Sequence, residues 1–224
     1  MRFKPENAQN IPQELRDLPQ WVNWVMTTRK GKITKIPLNA QTGYAASSTN
    51  PATWNTFDIA LRGTQMRENW GVGFVLFPPY IGIDVDDCLN DSLGQSGVID
   101  GIGKVALDMF APTYAEWSPS GKGIHLFLRG KLEKAHKIGH FEIYTNGRFF
   151  TVTGNRLPGH LPKVLTTPND RCDHIIRISQ RIYGNNCGSV ELPSSTDGAN
   201  GTSHLEHGYV SEGVPTGNMD DMTP

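Results

Sequence analysis

Two carboxylates two residues apart inside an apolar run, Ile81-Gly82-Ile83-Asp84-Val85-Asp86-Asp87-Cys88, constrain this chain more than any other feature. Together with Val75 and Leu76, the residues Ile81, Ile83 and Val85 make the run read as a buried β-strand. Side chains two apart on a strand share a face, so Asp84 and Asp86 project together while Asp87 points the other way. Paired carboxylates repel each other and resist leaving water. A hard divalent cation such as Mg2+ or Mn2+ neutralises such a pair most directly. The plainer alternative is a strand end whose Asp-x-Asp caps the next turn, and the spacing alone leaves both readings open.

The 224 residues leave room for one large domain, or for one domain and a tail. Lysine plus arginine number 21 against 22 for aspartate plus glutamate. Contact with nucleic acid therefore has to come from a local basic patch, not from bulk charge. The sequence shows no charged leader followed by an apolar run, and no stretch of the ~18 apolar residues that a membrane span needs. Cys88, Cys172 and Cys187 are odd in number and widely spaced, which argues against a disulfide framework. A reduced, cytoplasmic protein with no membrane partner is the expectation. Cys172-x-His174 with Cys187 lacks a CxxC partner, so no zinc is expected.

From about Tyr183 onward the composition turns to Gly, Ser, Asn, Thr and Asp, and residues 184–224 read as a linker or disordered tail. The globular part is then about 10–183. Within it, Trp21 to Met26 and Lys35 to Leu38 flank a basic turn and read as a hairpin. Thr56 can cap a helix over about Phe57 to Met66. Strands follow at Val72 to Phe77 and Tyr80 to Asp86. A helix covers 97–110, with Val98, Ile102, Val105 and Met109 on one side. Further strands are expected at about 113–117, 123–129, 141–145 and 148–153, with Asn146-Gly147 as a tight turn. Pro168-Asn169-Asp170 opens a last helix carrying Ile175, Ile176, Ile178 and Ile182, and Gly184 stops it. The pattern predicts an α+β domain with a largely antiparallel sheet covered by helices on one face.

Two further strands carry polar groups among apolar neighbours. Glu142 lies between Phe141 and Ile143, and His125 lies in Ile124-His125-Leu126-Phe127-Leu128. If the Glu142 strand runs beside that of Asp84, three carboxylates converge. A lone strand histidine is equally a core residue bonded to a carbonyl. The turn Ser118-Pro119-Ser120-Gly121-Lys122-Gly123 contains Gly-Lys, but the residues after it form a strand, which excludes a Walker-type phosphate loop. What remains is either an ordinary turn or one whose N–H groups and Lys122 hold phosphate oxygens.

The peptides Trp21-Val22-Asn23-Trp24, Lys35-Ile36-Pro37-Leu38-Asn39, Ala46-Ser47-Ser48-Thr49-Asn50-Pro51, Gly73-Phe74-Val75-Leu76 and Ile83-Asp84-Val85-Asp86 follow one another in order. So do Ser118-Pro119-Ser120-Gly121, Gly123-Ile124-His125 and Gly147-Arg148-Phe149-Phe150-Thr151-Val152-Thr153-Gly154. Over about residues 12–157 this series resembles the archaeo-eukaryotic primase superfamily, and more narrowly the primase-polymerase (prim-pol) domains of phage and plasmid replication proteins. The resemblance implies a prim-pol fold: an RRM-like, mainly antiparallel catalytic sheet (about 71–183) with helices on one face, and a smaller N-terminal α/β subdomain (about 10–70). It implies a nucleotidyltransferase, a DNA primase or DNA polymerase acting on single-stranded DNA in phage, prophage or plasmid replication within a bacterial host cell.

On that resemblance Asp84, Asp86 and Glu142 hold two Mg2+ or Mn2+ ions. His125, Ser118, Ser120, Lys122 and Arg148 contact the incoming NTP or dNTP. Asp84, Asp86, Glu142 and His125 are the catalytic set. The basic residues Arg29, Lys30, Lys32 and Lys35, with Arg129 and Lys131, are the expected DNA contacts, their plainer reading being solvated loops. The segment 46–51 reads as mainly structural. Phage members usually carry a helicase domain further along, so a helicase domain or protein is an expected partner. A non-catalytic DNA-binding replication module is the alternative from another class, and the retained carboxylates argue against it. An Mn2+-dependent glycosyltransferase also uses Asp-x-Asp, but leaves His125 and Glu142 without a role.

Overall fold

Alternating apolar and polar residues build two separate β-sheets here, and the chain crosses between them three times. The computed structural model describes residues 3–29, 31–89, 98–99, 101–184 and 187–189. In chain order a 3-10 turn (Pro5–Asn10) and the single-turn α1 (Gln13–Arg16) precede β1 (Trp21–Arg29) and β2 (Lys32–Leu38). Then come α2 (Phe57–Met66), β3 (Gly71–Val75), β4 (Tyr80–Val85), α3 (Gly101–Phe110), β5 (Ala115–Trp117) and β6 (Ile124–Arg129). The remaining elements are β7 (His136–Ile138), β8 (Phe141–Tyr144), β9 (Phe149–Val152), β10 (Leu165–Thr166), α4 (Asn169–Tyr183) and β11 (Cys187–Ser189).

The first sheet has the order β2-β1-β3-β9 and is antiparallel throughout. The second has the order β10-β6-β4-β8-β7-β11, with β5 added against β6, and only the β10–β6 pair is parallel. The expected mixed α+β architecture with mainly antiparallel sheets is therefore present. Strand β9 is where the sequence reading and the structure part. Asn146-Gly147 looks like a hairpin turn, yet β8 pairs with β4 and β7, whereas β9 leaves to pair with β3. Hydrophobic burial explains the departure. Phe150 and Val152 are needed in the core of the first sheet, beside Trp21, Phe57, Val72 and Phe74. The sheet that begins in the N-terminal half thus takes its other two strands from 71–75 and 149–152, across the division expected near residue 70.

Each face of the second sheet has its own core. Ile81, Ile83 and Val85 of β4, Ile124, Leu126 and Leu128 of β6, and Phe141 and Ile143 of β8 pack against Ile102, Ala106 and Phe110 of α3 and Cys172, Ile175 and Ile176 of α4. The opposite face contributes Tyr80, Phe127 and Tyr144 to a second cluster with the first sheet. Helix α4 ends at Gly184, whose φ of 67° suits a residue without a Cβ. Ile182 lies outside the core, 50% exposed, and so leaves the apolar stripe expected of that helix. Thr56 occupies the N-cap position of α2, but its side chain makes no capping bond. Beyond Gly184, β11 adds an antiparallel strand to β7. The rest of the expected tail, 185–186 and 190–224, lies outside the described residues, as do Lys30 and residues 90–97 and 100.

Gly82, in the middle of β4, lies against Phe150 of the first sheet. A Cβ there would stand 2.7 Å from the Phe150 ring and 2.8 Å from Leu76 Cδ1. Gly82→Ala is expected to destabilise the domain by about 1–3 kcal/mol through overpacking, read as a lower urea midpoint at unchanged slope.

Candidate functional site

Pairing register is what assembles the site. Asp84 on β4 lies directly opposite His125 on β6 and Glu142 on β8. On the outer strands, Glu116 of β5 lies opposite His125, and Lys137 of β7 opposite Glu142. Five adjacent strands therefore present Glu116, His125, Asp84, Glu142 and Lys137 in a single row. The alternation that buries Ile83, Val85, Ile124 and Ile143 under the helices turns this row toward the other face. There a cleft of about 570 Å³ runs between the sheets, lined by Asp84, Asp86, His125, Lys137, Glu142 and Tyr144. The first sheet and its hairpin supply Met26, Ile33, Lys35, Arg148 and Phe150 to the same cleft.

Asp86 follows the end of β4, where its N–H donates to the His140 carbonyl at 2.9 Å. It shares the cleft with Asp84 as the pleat demands. Asp87, in the left-handed region at φ 47°, is not among the lining residues and lies 3.7 Å from the His140 ring. Glu142 is held at both oxygens, by the Lys137 ammonium at Oε1 and by the Tyr144 hydroxyl at Oε2, 2.9 Å away. His125 is buried against Phe150, ring centroids 5.4 Å apart. Its Nε2 stands 3.4 Å from Asp84 Oδ1, and its Nδ1 stands 3.5 Å from Glu116 Oε1. Both distances are long for hydrogen bonds. Asp84 Oδ1 and His125 Nδ1 are in fact buried without a hydrogen-bond partner.

These placements set the protonation behaviour. Burial raises the Asp84 carboxyl above the usual carboxylate range; His125 pulls it down, and Asp86 and Glu142 push it up again. For His125 burial acts downward, but Asp84 and Glu116 outweigh it and the imidazole is raised. Tyr144 is pushed up to about 12 by burial and then by the Glu142 charge.

The other expected contacts are distributed unevenly. Lys35, expected to touch DNA, lies in the cleft with its ammonium 5.6 Å from the Trp24 ring centroid. Arg148 also lines the cleft, stacked over Tyr144 at 5.1 Å. The Ser118–Gly123 turn abuts the end of β4, since a Cβ on Gly123 would meet the Val85 carbonyl at 2.5 Å and Asp86 Cα at 3.2 Å. Ser118 and Ser120 bond each other at 2.9 Å, Ser120 Oγ also accepts from the Lys122 N–H, and none of the three residues lines the cleft. Arg29 and Lys32 are exposed at the hairpin tip, opposite each other. Arg129 is drawn elsewhere, bonded to Glu14 and to the Tyr80 hydroxyl, and Lys131 is exposed outside the cleft. Segment 46–51 is tied down by its own bonds and by Ser48 Oγ donating to the Gly147 carbonyl at 3.0 Å. Sequence reasoning missed Tyr144 in the cleft and Glu116 behind it, and read Lys137 only as one of a basic cluster with Arg129, Lys131 and Lys134. Glu116 stands between Ala115 and Trp117 in the same pattern that marked Glu142, and that signal was there to be read.

Among the described residues, no three His, Cys, Asp or Glu side chains are already grouped to hold a metal ion. The donor chemistry nevertheless suits a hard cation: Asp84 Oδ1 is buried and unpartnered, and two more carboxylates share its cleft. Half-buried Asp84 and Glu142, with exposed Asp86, share this cleft with the cationic side chains of Lys35 and Arg148. No protein-family model matches the chain. It is 34% identical over 149 residues to the DNA primase-polymerase of Nitratiruptor phage NrS-1, a match covering 62% of this chain and 20% of that protein. The chain thus spans about a fifth of the relative's length, and the match supports a primase-polymerase relationship. Among the described residues no helix is long and apolar enough to cross a membrane.

Because its folded pKa lies above the ordinary carboxyl value of 3.8, Asp84 holds its proton to higher pH in the folded state than in the unfolded one. That contribution to stability is present below 3.8 and is lost as pH rises through the raised value. Asp84→Asn is therefore expected to melt at a higher temperature than the parent at pH 7 in EDTA. The difference should shrink as the pH is lowered toward 4, in thermal melts followed by circular dichroism.

Proposed function

We propose that this domain is a metal-dependent nucleotidyltransferase that adds nucleotides to DNA on a single-stranded template, as a primase, a polymerase or both. The observation that carries the reading is the alignment of Asp84, His125 and Glu142 on adjacent strands, facing a cleft whose far wall supplies Lys35 and Arg148. The match to a phage primase-polymerase supports it.

Asp84 and Asp86 would hold Mg2+ or Mn2+, with Glu142 as the third carboxylate once Lys137 gives it up. Bound ions would favour loss of the proton from a primer 3′-hydroxyl and neutralise charge on the departing pyrophosphate. The protein's own work is positioning and electrostatics. His125, Lys35 and Arg148 place positive or hydrogen-bonding groups where a triphosphate would lie. The Ser118, Ser120 and Lys122 turn, beside Asp86, offers further donors at the edge. Exposed Met26 and Ile33, with Arg29 and Lys32 beyond them, give the hairpin an apolar and basic surface suited to an unstacked strand. A helicase partner is consistent with this reading.

The direct test combines single-stranded DNA, labelled deoxynucleotides or ribonucleotides, and Mg2+ or Mn2+, with and without a primer. Products without a primer establish priming, and products only with one establish extension. Asp84→Ala and Asp86→Ala are each expected to lose at least about 100-fold in incorporation while remaining folded, and Asp87→Ala to stay near the parent. Incorporation by the Asp84→Ala, Asp86→Ala double variant at parental rate would overturn the proposed site. Lys35→Ala should weaken triphosphate binding, whereas Arg129→Ala should lower stability by about 0.2–1 kcal/mol with triphosphate binding intact.

A further inference from the structure

Glu116 is the one carboxylate of the row that the cleft does not contain and the proposed reaction does not use. It is fully buried. Its oxygens are surrounded by donors: the Thr153 N–H at 3.0 and 3.1 Å, the Gly154 N–H at 2.8 Å and the Tyr114 hydroxyl at 2.6 Å. Burying a carboxylate is costly unless donors replace the lost water, and here three groups do so. Tying the 153–154 turn to β5 requires acceptors, which a neutral amide could also supply. A negative charge at this place has a second consequence, because Oε1 stands 3.5 Å from His125 Nδ1. The imidazole is fixed on its other side by the Phe150 ring, and its Nε2 faces Asp84. A carboxylate behind a functional histidine selects the tautomer and the ring orientation.

We propose that Glu116 is a positioning residue for His125: it holds the ring proton on Nδ1 and keeps Nε2 turned to Asp84 and the cleft. The role rests on the nucleotidyltransferase reading of that cleft. Glu116 touches neither nucleotide nor metal and acts only through the histidine. A merely structural Glu116 would anchor Thr153 and Gly154 and leave the imidazole indifferent to its charge.

The imidazole ¹⁵N shifts of His125, assigned by their loss in His125→Ala, report which nitrogen carries the proton. In the parent, with the ring neutral, the proton is expected on Nδ1. In Glu116→Gln it should move to Nε2, toward Asp84, and binding of a deoxynucleoside triphosphate with Mn2+ should weaken about tenfold by calorimetry. Single-stranded DNA affinity should not change. Tyr114→Phe removes the 2.6 Å donor but keeps the carboxylate. It should lower the melting temperature while leaving the tautomer and the triphosphate affinity as in the parent. A neutral parent ring protonated on Nε2 overturns the proposal without requiring any variant to fold. Parental triphosphate binding in Glu116→Gln, with weakened binding in His125→Ala, overturns the positioning role and leaves the reading of the cleft standing. Parental binding in both variants overturns that reading, and the positioning role with it.

Discussion

Like charges directly opposite each other on neighbouring strands destabilise a sheet, and Asp84 and Glu142 are such a pair. The second sheet is organised around tolerating them. The register that makes them neighbours is fixed from the other face, where Ile81, Ile83, Val85, Ile124, Leu126, Phe141 and Ile143 are buried beneath α3 and α4. A slip of one residue would send those apolar groups to the cleft and the acids into the helices. The core therefore enforces the repulsion, and the flanking strands relieve it. Lys137 takes Glu142 from one side, and His125, backed by Glu116, approaches Asp84 from the other.

Much of this was legible in the sequence because β-pleating has a fixed period. Asp84, His125 and Glu142 each stand among apolar residues, and a period of two puts each on the face opposite its neighbours. The helix Asn169–Tyr183 was likewise readable from its apolar spacing and from Gly184, and the helix Phe57–Met66 from Thr56 at its start. The pairing partners were not readable. Nothing local to Asn146-Gly147 says that the strand after it joins β3 rather than β8, since that choice is made by the distant core around Trp21 and Phe57. The two-residue β10 and the short β7 carry too few residues to show a period. The positions of the basic side chains were the least legible. Lys35 and Arg129 look alike in sequence, but one lies in the cleft and the other is bound to Glu14 and Tyr80 on the far end of β6.

Joining β9 to the first sheet also gives the cleft its second wall. Phe150 reaches across to Gly82 and to the His125 ring, so one aromatic side chain touches both the floor of the second sheet and its central histidine. Arg148 and Phe149 precede it at the cleft, while Thr153 and Gly154 follow it at Glu116. A single short segment, 148–154, thereby connects the cationic wall of the cleft with the buried carboxylate behind the histidine. The strand crossing that defeated the sequence reading is the feature that closes the site.

Charge balance along the row is uneven, and the imbalance singles out one atom. Glu142 has a lysine and a tyrosine hydroxyl, and Glu116 has two backbone N–H groups and a second tyrosine. Asp84, between Glu142 on one side and Asp86 further along the chain, has a histidine at 3.4 Å and the more weakly acting Lys35 charge, with Oδ1 buried and unbonded. Carboxylates in low dielectric gain most from added positive charge where existing compensation is least. Any cation entering the cleft gains more at Asp84 than at Glu142, where it would first have to displace Lys137. The fold thus leaves its least compensated charge at the centre of the row, with fully bonded groups on either end.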